Sequence, residues 1–423
     1  MNEDFLHYVW KYGLFDQNNL KSACGKEIRI LKCGDHNFDS GPDFFNAQVW
    51  IDGTLLAGNV EIHTNTSDWN KHLHQSDKTY NNVILHVVLN DDKEIKNERS
   101  ELMPTLELKF RIFPNVQRNY ELLNTSKKSI ACSGMLSDVP EHTTAIWLQR
   151  MAIERLEEKT AFVEQLYLQN KKDWLETFYQ LLARNFGFKT NGDAFYLLAK
   201  QLPLQIIGKH RNDLFQLESL LFGQAGLLDD QLEEPYAQKL QNEYTFLRKK
   251  YSLVPLQKEN WKYLRMRPVN FPTIRIAQFA ALLHTSSYLF SRILENSSVA
   301  EIRQLFSAKA SSFWDTHYSF TSPSKKMAKE IGETATANIL INTVAPLLFT
   351  YGRIKQDEKY TEKAIDLLND LEPENNKITR EYSQAGLIPK NAAESQGMLN
   401  LNKNYSLKSG CLKCSIGNSL LTA

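Results

Sequence analysis

The chain has 423 residues, 42% of them hydrophobic, and a formal net charge of +1 at pH 7. This length allows two or three domains with sizeable cores. The near-neutral net charge neither requires nor excludes a nucleic-acid partner, so the local distribution of charge must decide that question. The odd count of five cysteines argues against a secreted disulfide framework. The acidic start MNEDFLHYVW argues against a signal peptide, and the apolar segment 337–351 is too short to span a membrane. We therefore predict a soluble cytoplasmic protein with no membrane partner.

The first part of the chain, residues 1–115, predicts an α/β domain. A short amphipathic helix over 2–12 is followed by a strand at 27–31. Residues 44–51 and 54–63 read as a hairpin around Asp52-Gly53, and the apolar run 83–89 predicts a buried central strand. A last strand is expected over 104–110.

Beyond this domain the hydrophobic period changes to that of helices. We predict a helical domain over 140–350 and a helical tail over 351–423 that carries a Cys-x-x-Cys pair. The predicted helices of the helical domain include 175–186, 194–200, 214–222, Asp230–Leu247, 274–294 and 326–348.

Acids and histidines concentrate in residues 33–91, which hold five of the ten histidines. In the predicted hairpin, Asp43 lies at the start of one strand and Glu61 near the end of the next, so the two meet at one end of the sheet. Alternation places Glu61 and His63 on the same face. Two carboxylates there suit Mg²⁺ or Mn²⁺, which prefer hard oxygen ligands. The alternative is that Asp43 caps a turn and Glu61 pairs with an arginine at a sheet edge.

The spacing Pro42-Asp43, then Glu61-Ile62-His63, resembles the PD-(D/E)XK nuclease pattern. That resemblance implies a restriction-endonuclease-like twisted mixed sheet, followed here by the mostly α-helical region. It also implies a metal-dependent phosphodiesterase or nuclease in which Asp43, Glu61 and His63 are catalytic. The chain departs from the pattern at His63, which stands where the family has lysine, and histidine could position water or bind metal instead.

A second group of histidines and acids follows the hairpin. His72, His74 and Asp77 have a spacing that suits a transition metal, either as further ligands or as a shell around the first ion. His72 and His74 could instead be solvent-exposed, and His86 could be a satisfied core residue inside its strand.

An ordered series of motifs runs through most of the chain: GPDFFNA, GNVEIH, HLHQSD, LHVV, RPVNFPTIRIAQ and QGMLNL. It resembles an uncharacterised bacterial family known only as a domain of unknown function. This resemblance implies no activity.

Residues 248–275 combine eight Lys or Arg with one acid and four interleaved aromatic residues. Basic side chains neutralise phosphates and aromatic rings stack on bases, so this segment predicts a nucleic-acid interface. The residues we select are Trp261, Lys262, Arg265, Arg267 and Arg275. The alternative is a solvated linker whose aromatic residues belong to the core.

Cys411 and Cys414 form one Cys-x-x-Cys pair, which Cys132 could join. One such pair is half a zinc site at most, so we expect free or redox-labile thiols rather than zinc or an iron–sulfur cluster.

Three functions follow from these patterns. The first is a metal-dependent nuclease with Mg²⁺ or Mn²⁺. The second is a non-catalytic nucleic-acid-binding or interaction protein on a nuclease-like scaffold. The third is a zinc-dependent hydrolase built on His63, His72, His74 and Asp77.

Overall fold

The computed structural model describes residues 1–229, 231–295, 298–321 and 323–423. The chain divides into two compact units. Unit 1 contains Met1–Trp147, Gln384–Leu387 and Leu401–Ala423, and unit 2 contains Leu148–Ser383 and Ile388–Asn400. Among the described residues, no helix has both the length and the apolar character that crossing a membrane requires.

The sheet of unit 1 is mixed. Its strands are β1 Leu20–Lys21, β2 Glu27–Lys32, β3 Asp35–His36, β4 Phe44–Ile51, β5 Thr54–Asn65, β6 Val83–Asn90 and β7 Thr105–Glu107. Their order is β1-β2-β4-β5-β6-β7, with β3 paired to β4. Pairs up to β4–β5 are antiparallel, and β5–β6 and β6–β7 are parallel. This confirms the predicted fold class, a mixed-sheet α/β domain followed by a mostly helical region.

The β4–β5 hairpin forms where the sequence predicts it. Asp52 and Gly53 both have positive φ, 50° and 78°, as a two-residue hairpin turn that follows the twist of its strands requires. Asn46, with φ 58°, lies where the register shifts by one residue. The pairing still sets Phe44 opposite Val60, so Asp43 lies beside Glu61.

Strand β6 lies between β5 and β7, and most of its residues are buried, which explains its continuous apolar sequence, since parallel strands are covered on both faces. Its pairing with β5 sets His86 beside Glu61 and Val88 beside His63. At Gly58 the two strands approach so closely that a Cβ atom would lie 2.5 Å from Ile84 Cγ2 and 2.6 Å from the Asn82 carbonyl oxygen.

Helix α1, Glu3–Tyr12, opens unit 1. The Asn2 side chain accepts a hydrogen bond from the Phe5 amide, and Gly13 ends the helix in the left-handed conformation. The buried face carries Phe5, Leu6 and Val9.

The remaining helices belong mainly to unit 2. Their bounds are α2 Asp68–Lys71, α3 Pro114–Thr125, α4 Glu141–Gln169, α5 Trp174–Phe186, α6 Phe188–Gln201, α7 Leu204–His210, α8 Leu214–Gln224, α9 Pro235–Tyr251 and α10 Pro272–Thr285. They continue with α11 Leu289–Glu295, α12 Val299–Leu305, α13 Glu333–Ile339, α14 Ala345–Lys355, α15 Glu358–Asp370, α16 Lys377–Gln384, α17 Ala392–Asn404 and α18 Ser415–Thr422. A π-helical turn, Leu340–Val344, connects α13 to α14.

Several predicted helices have different bounds from those observed, and α6 begins at Phe188 rather than at the predicted 194. The helix predicted over 274–294 is broken, because Tyr288 takes a left-handed φ of 55° between α10 and α11. The helix predicted to begin at 326 begins at Glu333, because Lys329 and Glu330 are extended and bond to 309–310 instead. Asp230, the predicted start of α9, lies outside the described residues.

Candidate metal centre

Strand β5 fixes the first two side chains of the site. Glu61 and His63 lie two residues apart on one face of β5, and both are buried, with 5% and 2% of their surface exposed. Strand β5 lies between β4 and β6, so Glu61 is not at a sheet edge. Among the described residues its charged neighbours are histidines and Asp43, and no arginine pairs with it.

Two more imidazoles come from the turn after α2. His72 ends α2, and Leu73 takes a left-handed φ of 63°, which reverses the chain before His74. His63 Nε2 lies 3.1 Å from His72 Nδ1. One ring nitrogen from each of His63, His72 and His74 lies within 4.8 Å of the others, so the three could hold a metal ion together.

The Glu61 carboxylate completes this group. Its Oε1 atom lies 3.3 Å from His74 Nε2 and 3.5 Å from His63 Nε2. Among the described residues, no contact of the buried His74 Nε2 has good hydrogen-bond geometry. Ligand atoms about 2.0–2.1 Å from a tetrahedral zinc ion lie roughly 3.3 Å from one another. The three contacts of 3.1, 3.3 and 3.5 Å are close to that spacing, and one ring nitrogen from each of the three histidines lies within 4.8 Å of the others.

Electrostatics favour neutral imidazole here. Burial, followed by the charges of His74 and His72, lowers the pKa of His63 to about 4. A neutral ring nitrogen is the form that binds metal. Burial, together with the charge of Asp43, raises the pKa of Glu61, so a negative carboxylate is costly here without a cation.

A second layer holds His63 in place. His63 Nδ1 lies 2.8 Å from Nε2 of His86, a fully buried residue whose pKa burial lowers well below the usual value. If His63 Nε2 faces an ion, its Nδ1–H donates to His86, which fixes the tautomer and ring orientation. Within the part of the chain that the structure describes, His86 Nδ1 has no hydrogen-bond partner. The Tyr80 ring covers His74, with centroids 3.8 Å apart.

Asp43 lies beside this group. Its backbone amide donates to Glu61 Oε2 at 3.2 Å, and its own Oδ2 accepts from the Ile62 amide at 2.8 Å. The same Oδ2 lies 3.2 Å from His7 Nε2. Burial opposes the charged form of His7, but Asp43 outweighs burial and raises the pKa of His7. Asp43 is thus positioned next to Glu61, and its Oδ2 is held by an amide and an imidazole.

The sequence does not single out His7, because it lies far from the acid-rich segment along the chain. The available signal was its position on α1, between the buried residues Leu6 and Tyr8. A histidine on the buried side of an amphipathic helix needs a polar partner.

Asp77, a predicted ligand, interacts electrostatically with His74 but is not among the residues whose ligand atoms lie within 4.8 Å of one another. It is exposed, and its Oδ1 accepts from the Thr79 amide at 2.9 Å, which caps a short 3₁₀ turn. The backbone hydrogen bond and the side-chain hydrogen bond from Thr79 lower the pKa of Asp77. Its local role is that of a turn cap.

The three cysteines selected from the sequence are near one another in unit 1. Cys132 interacts electrostatically with Cys411 and Cys414. Burial raises the pKa of Cys132 to about 12 and that of Cys414 to about 11, so both thiols are protonated at neutral pH.

The five residues of the predicted nucleic-acid interface divide by exposure. Lys262, Arg265 and Arg267 are exposed. Trp261 is 5% exposed and donates its indole N–H to the Ala225 carbonyl at 2.8 Å. Arg275 is 9% exposed and is hydrogen-bonded within unit 2. Only Lys262, Arg265 and Arg267 can therefore contact a nucleic acid without rearrangement of the protein.

The protein is of the α/β class, with a mixed sheet followed by a helical region. Its sheet domain brings three imidazoles and a carboxylate together as a candidate metal centre. The chain belongs to the family described as protein of unknown function (DUF2851), whose model matches residues 3–377. This confirms the resemblance to a family of unknown function. Comparisons with curated proteins and with solved structures gave no match, so the resemblance to nucleases is not confirmed.

Proposed function

We propose that the protein is a metal-dependent hydrolase whose divalent ion is held by Glu61, His63, His72 and His74. The observation that carries this proposal is the convergence of Glu61 Oε1 and the imidazole nitrogens, with contacts of 3.1–3.5 Å. Three imidazoles and one carboxylate suit Zn²⁺ or another transition metal, whereas Mg²⁺ prefers oxygen ligands and several waters. The proposal thus favours the zinc-dependent alternative over the magnesium-dependent nuclease.

The surrounding residues support a catalytic rather than a purely structural centre. His72 is exposed, so the cluster is open to solvent on one side. Asp43, 22% exposed and paired with His7, supplies a carboxylate beside Glu61 that could accept a proton from an attacking water. A bound ion would polarise the substrate and lower the pKa of water.

Elemental analysis combined with a ligand series tests this proposal. We expect purified protein to retain about one equivalent of zinc, manganese or a similar metal per chain, and Glu61→Gln and His74→Ala to lose it. Asp77→Ala is the matched control, because this acid lies in the same segment but only caps a turn. Equal metal content in all four proteins would refute the proposed ligand set.

The second part of this proposal concerns the substrate, which we propose is a phosphodiester. It rests on Asp43, which hydrogen bonding places against Glu61 as the Pro-Asp and acid-x-residue pattern requires. The test is cleavage of single- and double-stranded DNA and RNA with Zn²⁺, Mn²⁺ or Mg²⁺. Loss of cleavage in Asp43→Asn with metal content unchanged would support it. Salt-sensitive binding without cleavage, lost in Arg265→Gln/Arg267→Gln, would favour the non-catalytic alternative.

A further inference from the structure

Unit 2 contains a cavity that is separate from the candidate metal centre. Its volume is about 490 Å³, within the range of small-molecule sites. Its lining comes from the start of α10 and from the extended segment that leads into α13, and includes Arg275, Gln278, Lys329 and Gly332.

Arg275 brings a buried positive charge to this lining. Its Nη1 donates to Gln278 Oε1 at 3.0 Å, and its Nη2 donates to Asn270 Oδ1 at 2.6 Å. Its guanidinium lies over the Phe188 ring, 4.5 Å from the centroid. The buried Nε has no hydrogen-bond partner among the described residues. Burial lowers the pKa of Arg275 to about 10, which leaves it charged at neutral pH.

Lys329 brings a second buried charge. It is 3% exposed, and its Nζ donates to the Met327 carbonyl at 2.9 Å and lies 4.1 Å from the centre of the Tyr318 ring. One carbonyl and one ring leave part of the donor capacity of an ammonium group unused. Burying a charge without an opposite charge is costly.

The acids of the lining do not neutralise these two cations. Glu330 and Glu333 are both exposed. In the described parts of the chain, neither carboxylate comes within ion-pair distance of Arg275 or Lys329. The two cations of the lining are therefore buried, whereas its two acids are exposed.

We propose that this cavity binds the phosphoryl group of a small molecule, with Arg275 and Lys329 as its anchors. A phosphate dianion matches two buried cations in charge, since a phosphomonoester carries roughly −1.5 to −2 at neutral pH. Its oxygens accept readily from guanidinium and ammonium donors. Phosphate recognition here is independent of the proposed hydrolase function.

Gly332 allows a matched test that spares the buried residues. It is the N-cap of α13, its φ of −72° suits any residue, and a Cβ atom there meets nothing within 4 Å. Asp and Asn are both favourable N-caps and differ here only in charge. Gly332→Asp places an anion at the cavity, and Gly332→Asn is the neutral control.

The experiment is calorimetric titration of the full chain, freed of metal by chelation and dialysis, at constant ionic strength. The ligands are inorganic phosphate, adenosine 5′-monophosphate and a short single-stranded oligonucleotide. We expect saturable binding of phosphate or the nucleotide, weakened at least about tenfold in Gly332→Asp because like charges repel at short range. Gly332→Asn is expected to bind within about threefold of wild type, Lys329→Gln to bind less, and Glu61→Gln in unit 1 to bind equally well.

The outcomes separate the possible sources of the anion. Binding of phosphate alone identifies a free-phosphate site, and tighter binding of the nucleotide identifies a phosphorylated metabolite. The proposal is overturned if neither small ligand saturates, if only the oligonucleotide binds, or if Gly332→Asp binds as well as Gly332→Asn. Circular dichroism of each variant establishes that it is folded.

Discussion

Replacing Glu61 by Gln separates a ligand role from a structural role. A buried carboxylate that serves the fold is stabilising, and its loss weakens the protein. A buried carboxylate whose role is to bind a cation lowers the stability of the folded protein when the cation is absent. We therefore expect Glu61→Gln to stabilise the metal-free protein and to abolish tight metal binding.

The size of the effect follows from the surroundings of Glu61. Its side chain is 6% exposed, and burial and the charge of Asp43 raise its pKa. Gln keeps the acceptor for the Asp43 amide and can donate to the nearby imidazole nitrogen of His74. Removing the charge should stabilise the metal-free protein by about 0.5–2 kcal/mol, as relief of functional-site strain commonly does.

The pH dependence has a definite sign. Because the folded pKa of Glu61 is raised, the folded state binds more protons than the unfolded state just above pH 4.5. The contribution of Glu61 to stability is present below that range and is lost as pH rises through the folded pKa. The advantage of Glu61→Gln should therefore grow with pH above 4.5.

Hydrogen exchange measured by mass spectrometry provides a local assay. Peptides from β5 and β6 in chelator-treated protein should exchange more slowly in Glu61→Gln than in wild type. Added Zn²⁺ should slow exchange in wild type and leave the variant unchanged. Glu27→Gln, on β2 of the same sheet, is the control. Faster exchange in metal-free Glu61→Gln, with zinc still protecting it, would refute the ligand role.

Three further changes give distinct outcomes. His86→Leu should lower metal affinity about 10–100-fold, measured by competition with a chelating dye, because His63 loses its orienting partner. Burial, followed by the charge of Arg155, lowers the pKa of Lys159 to about 7 from its usual 10.5. Between these two pH values the folded state therefore binds fewer protons than the unfolded state. The free energy of unfolding should therefore rise over that range in wild type, by on the order of a few kcal/mol, and not in Lys159→Met, as urea denaturation at several pH values will show. Gly58→Val should destabilise unit 1 by roughly 2–4 kcal/mol in thermal unfolding, because its Cβ would collide with Ile84 and Asn82, whereas Gly53→Asn, at an open hairpin turn, should be nearly neutral.

The hairpin could be predicted because its signals are local. Asp52-Gly53 between alternating segments specifies the turn, and the period of two places Glu61 and His63 on one face. The sheet class followed from these patterns and from the apolar run of β6.

Other parts of the site depended on contacts that no local pattern contains. His7 contacts Asp43 from a helix near the start of the chain, far from Asp43 in sequence. Asp77 has ligand chemistry, but the Thr79 amide competes for its carboxylate and holds it in a turn. The break at Tyr288 requires a left-handed backbone that an apolar helical pattern does not reveal.

The histidine at position 63 connects the sequence argument to the geometry. A lysine there would offer a charged amine, which cannot ligate an ion while protonated and would have to be buried at a position that is 2% exposed. Imidazole can instead remain neutral, present Nε2 to the cluster and use Nδ1 to contact His86. A histidine at position 63 is therefore compatible with the two imidazoles of His72 and His74 beside it. Together the three imidazoles form a nitrogen-rich donor set, which would suit a transition metal better than magnesium.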